Sequence, residues 1–344
     1  MDTTDILQAE VSHALADGIP LWIRGGNSKA FYGNPAVAAC RELDTQSHTG
    51  VIDYVPEELM IRVRSGTPLF EVQKLLDENG QMLPFEPPDF GGKATIGGVV
   101  AAGLSGPRRP WSGAVRDFVL GVTLLTGQAK VLSFGGQVMK NVAGYDVSRL
   151  VVGAMGTLGL ILDISLKVLP RPESEVTLRV CPDDFRYRIN KLFGASIGLS
   201  AHAYLEKNLY IRVNDKSGID GDILDNSLWH KINNHQLPVL QHGRNLWRIS
   251  VPQSASEYLT QASVIEWGGA LRWVADPTDD PHQIITTGHA TLFRSSDAMQ
   301  RNRFHPLDPV VARIHRNLKQ HFDPRGIFNP DRLTWRSSAD QYSH

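Results

Sequence analysis

Two stretches of this sequence combine residue types that suit an anionic or planar ligand. The first is Arg24-Gly25-Gly26-Asn27-Ser28-Lys29, placed directly after the apolar Leu21-Trp22-Ile23. A strand running into a Gly-Gly turn can aim successive backbone N–H groups one way, making an anion nest. A plain turn is the other reading of Arg-Gly-Gly taken alone. The second stretch is Lys93 to Gly106, K-A-T-I-G-G-V-V-A-A-G-L-S-G, with four glycines and three alanines. Glycine removes the Cβ and lets another group lie directly on the backbone. Gly97, Gly98, Gly103 and Gly106, set so close together, point to something flat or charged resting there. Neither stretch is a Rossmann fingerprint or a Walker loop: no Gly-x-Gly-x-x-Gly opens a helix, and Lys29 is not preceded by Gly-x-x-x-x-Gly.

Other chemistry-bearing residues are scattered. Arg108 and Arg109 follow the glycine-rich stretch and could face an acidic ligand or form a solvated loop. Twelve histidines occur, none with His-Glu-x-x-His spacing, so no metal site is readable. His289, in G-H-A-T-L-F-R, is the best single histidine for a catalytic role, against a structural one. Arg244, Arg272 and Arg294 could pair with a carboxylate; Arg272 reads better as a solvated charge on a strand face. Glu266 with Trp267 and Trp273 suits a core or subunit-interface cluster. The catalytic residues are thus unknown, with His289, Arg294 and Arg109 as candidates.

The elements that position these groups can be read in order. Leu7, Val11, Ala14 and Leu15 recur at helical spacing over Asp5–Ala16, capped by Thr4 or Asp5 and stopped by Gly18 and Pro20. Leu21–Ile23, Val51–Tyr54 and Met60–Val63 read as short strands. Thr67 as N-cap and Pro68 at the first helical position start a helix that ends at Gly80. Asp117–Leu125 and Val131–Phe134 form a hairpin around Gly127-Gln128. Val147–Val152 is a helical segment, and Leu160–Leu162 and Ile164–Leu169 are strands split by Asp163. From Val176 the pattern alternates, as in Thr177–Val180 and Leu209–Val213.

Bulk properties narrow the class. A chain of 344 residues suggests two domains, and a net charge of −1 gives no field for nucleic acid. Two cysteines exclude a thiolate-ligated iron–sulfur cluster within the chain, which needs about four. They also argue for a reducing compartment. The N-terminus lacks signal-peptide features, and the longest nearly apolar run, Leu150–Leu162, is 13 residues, short of the about 20 that span a bilayer. A soluble, cytoplasmic protein without a direct membrane span is expected.

The ordered motifs R-G-G-N-S, V-R-S-G-T-P-L-F-E-V, T-I-G-G-V-V-A-A-G-L-S-G, K-N-V-A-G-Y-D-V and G-T-L-G-L-I resemble a p-cresol methylhydroxylase-type FAD-binding domain. The segments around Trp247, Glu266–Trp273, Gly288–Arg294 and Phe322–Pro330 extend the likeness to the E-type FAD-binding subunits of bacterial glycolate oxidases. The resemblance implies an α+β fold with two α+β subdomains around FAD in residues 1–172. An α+β cap over 173–304, a segment 305–335 returning to the FAD domain and a polar tail 336–344 would follow. It implies FAD contacts from Arg24, Gly25, Gly26, Asn27, Ser28, Lys29, Pro88, Thr95, Ile96, Gly97, Gly98, Gly103, Ser105, Gly106, Gly156, Gly159 and Ile161. With Asn at position 27 and no cysteine in these loops, the FAD should be non-covalent. The implied function is oxidation of glycolate, a small 2-hydroxy acid, to glyoxylate. A second FAD-binding subunit and an iron–sulfur subunit would be partners, any docking at the inner membrane would come through them, and the acceptor would not be a nicotinamide. A self-contained 2-hydroxy-acid dehydrogenase is the alternative; the H-G-D-G-N-x-H-type motif of larger relatives is absent. A non-catalytic scaffold with the same fold is the third reading.

Overall fold

The computed structural model describes residues 1–37, 39–136, 146–180, 198–214, 219–300 and 302–333. The Lys140–Tyr145 part of the K-N-V-A-G-Y-D-V motif, Cys181 and the polar tail lie outside them.

The chain opens with helix α1 (Thr4–Asp17), which buries Leu7, Val11 and Ala14 along one stripe and ends on Gly18 at φ 66°. Strands β1 (Leu21–Arg24) and β2 (Arg41–Asp44) pair in parallel beside it. An antiparallel sheet then forms from β3 (Val51–Val55), β4 (Met60–Arg64), β6 (Val119–Leu125), β7 (Val131–Gly135) and β8 (Leu160–Lys167), in the order β3-β4-β8-β6-β7. A small β5 (Gln81–Met82) pairs with β9 (Leu169–Pro170). Helices α2 (Leu69–Glu78) and α3 (Ile96–Ala102) contribute Leu69, Val72, Leu76, Ile96, Val99 and Val100 to the core around this sheet.

The second half is an eight-stranded antiparallel sheet, ordered β13-β10-β12-β11-β15-β16-β14-β17. Its strands are β10 (Val176–Val180), β11 (Leu199–Leu205), β12 (Asn208–Val213), β13 (Asp222–Leu224), β14 (Asn245–Ser250), β15 (Val264–Glu266), β16 (Leu271–Ala275) and β17 (His289–Ser295). The two halves share a core in which Tyr32, Ala102, Leu104 and Met155 meet Trp229, Trp267, Trp273 and Phe293. A charge network also joins them. Arg108 pairs with Glu86 at 3.2 Å and Glu175 at 2.6 Å, and Arg212 reaches Glu86 at 2.6 Å. After the cap, the Pro309–Phe322 helix leads back to β1, where Leu21 N–H donates to Ile327 O at 2.6 Å and Asn329 N–H to Leu21 O at 2.9 Å.

Several local readings shift. The Thr95–Gly98 segment is not a loop: Thr95 caps α3 by accepting from Gly98 N–H at 3.3 Å. Pro68, not Thr67, holds the N-cap position of α2, because the Thr67 hydroxyl accepts from Gly50 N–H instead. Asp117 and Phe118 belong to a helical turn, Val115–Phe118, that precedes β6. Asp163 does not split β8, since Arg62 at 3.1 Å on the neighbouring strand meets its charge. Arg272 is fully buried rather than solvated. It donates to Gly269 O at 3.0 Å and Ala255 O at 2.7 Å, and also to Glu257 O.

Candidate cofactor-binding site

The turn after β1 meets the approach to α3 with no room for side chains. A Cβ on Gly26 would stand 1.4 Å from Lys93 O, and one on Gly25 would stand 2.4 Å from Thr95 Oγ1. Gly97 is held as closely, 2.6 Å from Ser65 Cβ. Gly98 differs, because its added Cβ would meet only Thr95 Oγ1, at 3.4 Å. It faces open space. That space is a cleft whose walls include the Arg24–Ala30 turn, Thr45, Ser65, Thr95, Gly97 and Gly98. Gly156, Gly159, Leu160 and Ile161 form another wall, and Asn329 and Arg332 close it from the far end of the sequence.

Several donors in the turn after β1 lack acceptors among the described residues. Asn27 sits at φ 59°, the left-handed conformation that turns successive N–H groups in a nest. Among the described residues, no backbone or side-chain group accepts from the N–H of Asn27, Ser28 or Lys29. The Ser65 hydroxyl is buried without a hydrogen-bond partner among the described residues. Lys29 Nζ donates to the Ser28 hydroxyl at 3.3 Å and lies 5.7 Å from the centre of the Phe90 ring. Burial pushes its ammonium down to about 8, opposed by nearby Asp89. Unmet N–H donors, an orphaned hydroxyl and a half-buried cation around a glycine floor fit a dianionic pyrophosphate joined to a flat ring system.

Twelve of the seventeen residues expected at the cofactor line this cleft: Arg24, Gly25, Gly26, Asn27, Ser28, Lys29, Thr95, Gly97, Gly98, Gly156, Gly159 and Ile161. The other five do not line it, and each has a protein contact or buried setting of its own. Ile96 is fully buried in the first core, and Pro88 is buried next to Asp89, whose N–H donates to Asn234. A Cβ on Gly103 would meet Gly153 Cα at 2.9 Å, and one on Gly106 would meet Glu86 O at 2.6 Å. The Ser105 hydroxyl accepts from Val115 N–H at 3.1 Å. Those two glycines are therefore accounted for by protein backbone.

The catalytic candidates stand apart from the cleft lining. His289 is exposed at the start of β17, and Arg294 on the same strand donates to Leu240 O at 2.6 Å. Arg109 lies with its guanidinium carbon 4.3 Å from the centre of the Trp267 ring. Among the described residues no cluster of His, Cys, Asp and Glu could hold a metal ion. Sequence reading does not single out Asn329 and Arg332. Asn329 accepts from Ile23 N–H at 2.7 Å and donates to Met155 O at 2.6 Å, tying β1 to the Gly156 turn. Arg332 donates to Asn34 O at 2.6 Å and Ala30 O at 3.1 Å, and burial pushes it down to about 10. Asn329 has a sequence signal, the F-N-P motif; Arg332 has none.

Residues 1–135 match the family model of an FAD binding domain. Glycolate oxidase subunit GlcE of Escherichia coli K12 is 43% identical over 96% of this chain and 97% of that protein. The chain belongs to the GlcE family of glycolate oxidase subunits. The family's cofactor is thus FAD, and its fold is the p-cresol methylhydroxylase-type flavoprotein with an α+β cap. A D-lactate dehydrogenase of Anaerostipes hadrus is 28% identical to this GlcE-family chain over 51% of its residues and 37% of the dehydrogenase's own length. A solved structure of alkyldihydroxyacetonephosphate synthase superposes with a TM-score of 0.63 at 14% identity, covering 95% of this chain and 75% of that one, which supports the fold alone.

Proposed function

We propose that this chain is the FAD-binding subunit of a multi-subunit glycolate oxidase that converts glycolate to glyoxylate. The observation that carries the reading is the cleft of unmet donors over Gly98, in a chain 43% identical to a subunit of that oxidase. The Asn27–Lys29 N–H groups and the Lys29 ammonium would hold the pyrophosphate, and Gly98 would leave room for the flat part of the cofactor. Bound FAD would supply the acceptor for the two electrons that leave with two protons when glycolate becomes glyoxylate. The protein's own contribution is to seat the cofactor and to keep the halves in register through Glu86, Arg108, Glu175 and Arg212. The FAD is held without a covalent bond, because the cleft presents Asn27 and no cysteine or histidine among its lining residues.

The partners in this reading are a second FAD-binding subunit and an iron–sulfur subunit, with delivery to an acceptor other than a nicotinamide. No helix among the described residues is long and apolar enough to cross a membrane, so any attachment to the inner membrane would come through the partners. The test is purification of the assembled complex with flavin and iron counted per subunit, and glycolate-dependent reduction of an artificial acceptor. Flavin in this subunit and glyoxylate as product are expected; an assembled complex without flavin in this chain overturns the reading.

A further inference from the structure

Among the described residues, the less exposed arginines nearly all have acceptors. Arg108 and Arg212 share two carboxylates, while Arg272, Arg303 and Arg332 donate to backbone carbonyls. Arg109 and Arg248 are the exceptions. Among the described residues neither guanidinium has an ion pair or a hydrogen-bond acceptor, yet both are only partly exposed. Both lean on one ring, with guanidinium carbons 4.3 Å (Arg109) and 5.1 Å (Arg248) from the centre of Trp267. Burial and then the charge of Arg248 lower the pKa of Arg109, so the pair repels as built.

Trp267 is fixed in an unfavourable backbone conformation. It has φ 53°, and Gly268 and Gly269 follow at 71° and 99°. A bulky residue adopts that region only when its surroundings hold it there. Here the hold comes from the indole N–H donating to Gly106 O at 3.2 Å and from Gly268 N–H donating to His202. The neighbouring groups do not cancel the two cations. Glu266 faces Arg248, but its buried carboxyl accepts from Trp273 at 2.8 Å and burial raises it to about 7. Arg116 and Asp117, opposite in sign, face Arg109. Tyr32 also faces Arg248, and its hydroxyl has no partner among the described residues. Tyr32 and Trp267 share a packed cluster with Ala102 and Met155, which line the cofactor cleft.

We propose that Arg109, Arg248 and the Tyr32 hydroxyl, gathered about Trp267, form the subsite that takes the carboxylate of a small acid between the FAD lobe and the cap. Charge-assisted N–H donors on a desolvating aromatic wall suit a carboxylate. The identity of that acid as a 2-hydroxy acid rests on the function proposed above.

The test uses the purified flavin-loaded chain and oxalate, a two-carbon carboxylate with no hydrogen to lose, followed by tryptophan fluorescence and flavin absorbance. Oxalate should bind the wild type. R109M and R248M should each weaken it by about tenfold or more, while R248K, which keeps the charge but loses the planar fork, should fall between. Flavin content and melting temperature are measured on each variant; if R248M fails to fold, R109M and R248K carry the test. No binding of oxalate to the wild type, or wild-type affinity in the folded variants, overturns the subsite. The two proposals fail separately. Glycolate oxidation by the complex with arginine-insensitive oxalate binding removes the subsite alone. Arginine-dependent oxalate binding in a complex that does not oxidise glycolate removes the oxidase reading alone.

Discussion

Replacing Gly98 separates cofactor binding from folding. Its position in α3 tolerates a side chain as far as the protein is concerned, since an added Cβ meets only Thr95 Oγ1, at an ordinary 3.4 Å. Helix propensity favours the change by about 1 kcal/mol for Gly→Ala and by less for Val. The apoprotein should therefore melt at or slightly above the wild-type temperature. The cleft side sees the opposite effect, because the new methyls occupy the floor on which FAD would lie in the proposed site. Overpacking against a rigid group costs about 1–3 kcal/mol, which is a loss of roughly 5- to 150-fold in FAD affinity for Gly98→Ala and more for Gly98→Val. The control is Gly26→Ala, whose Cβ would stand 1.4 Å from Lys93 O and which should disrupt the fold itself. Flavin absorbance per protein after gel filtration, with an apoprotein melt on the same samples, reads both effects. Wild-type FAD affinity in Gly98→Val would show that the cofactor does not rest on this glycine.

Three further outcomes follow from other sites. Glu175→Ala leaves Arg108 and Arg212 with one carboxylate between them and should lower stability by about 3 kcal/mol in urea unfolding; a change under about 0.5 kcal/mol would mean the network carries no net energy. Glu266 ionises in the unfolded chain near 4.5, whereas burial holds it up to about 7 in the fold, against the Trp273 hydrogen bond and Arg248. The folded state therefore binds more protons between these values, so stability should decline as pH rises from about 4.5 to about 7, by about 3 kcal/mol, and then level off. Glu266→Gln should remove that slope, and an unchanged slope assigns it to another group. Lys29→Met removes the cation from the nest and should weaken FAD by about tenfold in a fluorescence titration; an unaltered dissociation constant would take Lys29 out of the site.

The cleft is legible in the sequence where its determinants are local. Gly25, Gly26, Gly97 and Gly98 announce a close backbone approach, and Asn27–Lys29 announce a nest, because residue type and neighbours suffice for both. The remaining determinants are three-dimensional. Gly103 and Gly106 look like the same signal as Gly98, yet backbone at Gly153 and Glu86 explains them, and only chain packing distinguishes the cases. Arg272 reads as solvated because its strand is one of many alternating segments; the carbonyls of Gly269, Ala255 and Glu257 that satisfy it come from irregular chain. Arg248 stands in a strand-like segment of the sequence, but nothing local shows that it shares an indole with Arg109, far away in the chain. Asn329 and Arg332 close a cleft whose other walls all lie at or before Ile161, about 170 residues or more earlier in the chain.

That closure bears on how the protein is made. The nest, α3 and the Gly156 turn are all synthesised by residue 161, but Asn329 and Arg332, which brace the nest against that turn, follow about 170 residues later. At typical bacterial elongation rates the interval is on the order of ten to thirty seconds. During it the nascent flavin lobe has its donors but lacks its brace. Flavin loading should therefore be a late, essentially post-translational event, and a ribosome-stalled chain ending before Asn329 should emerge without cofactor. A chain truncated before this brace would then be colourless.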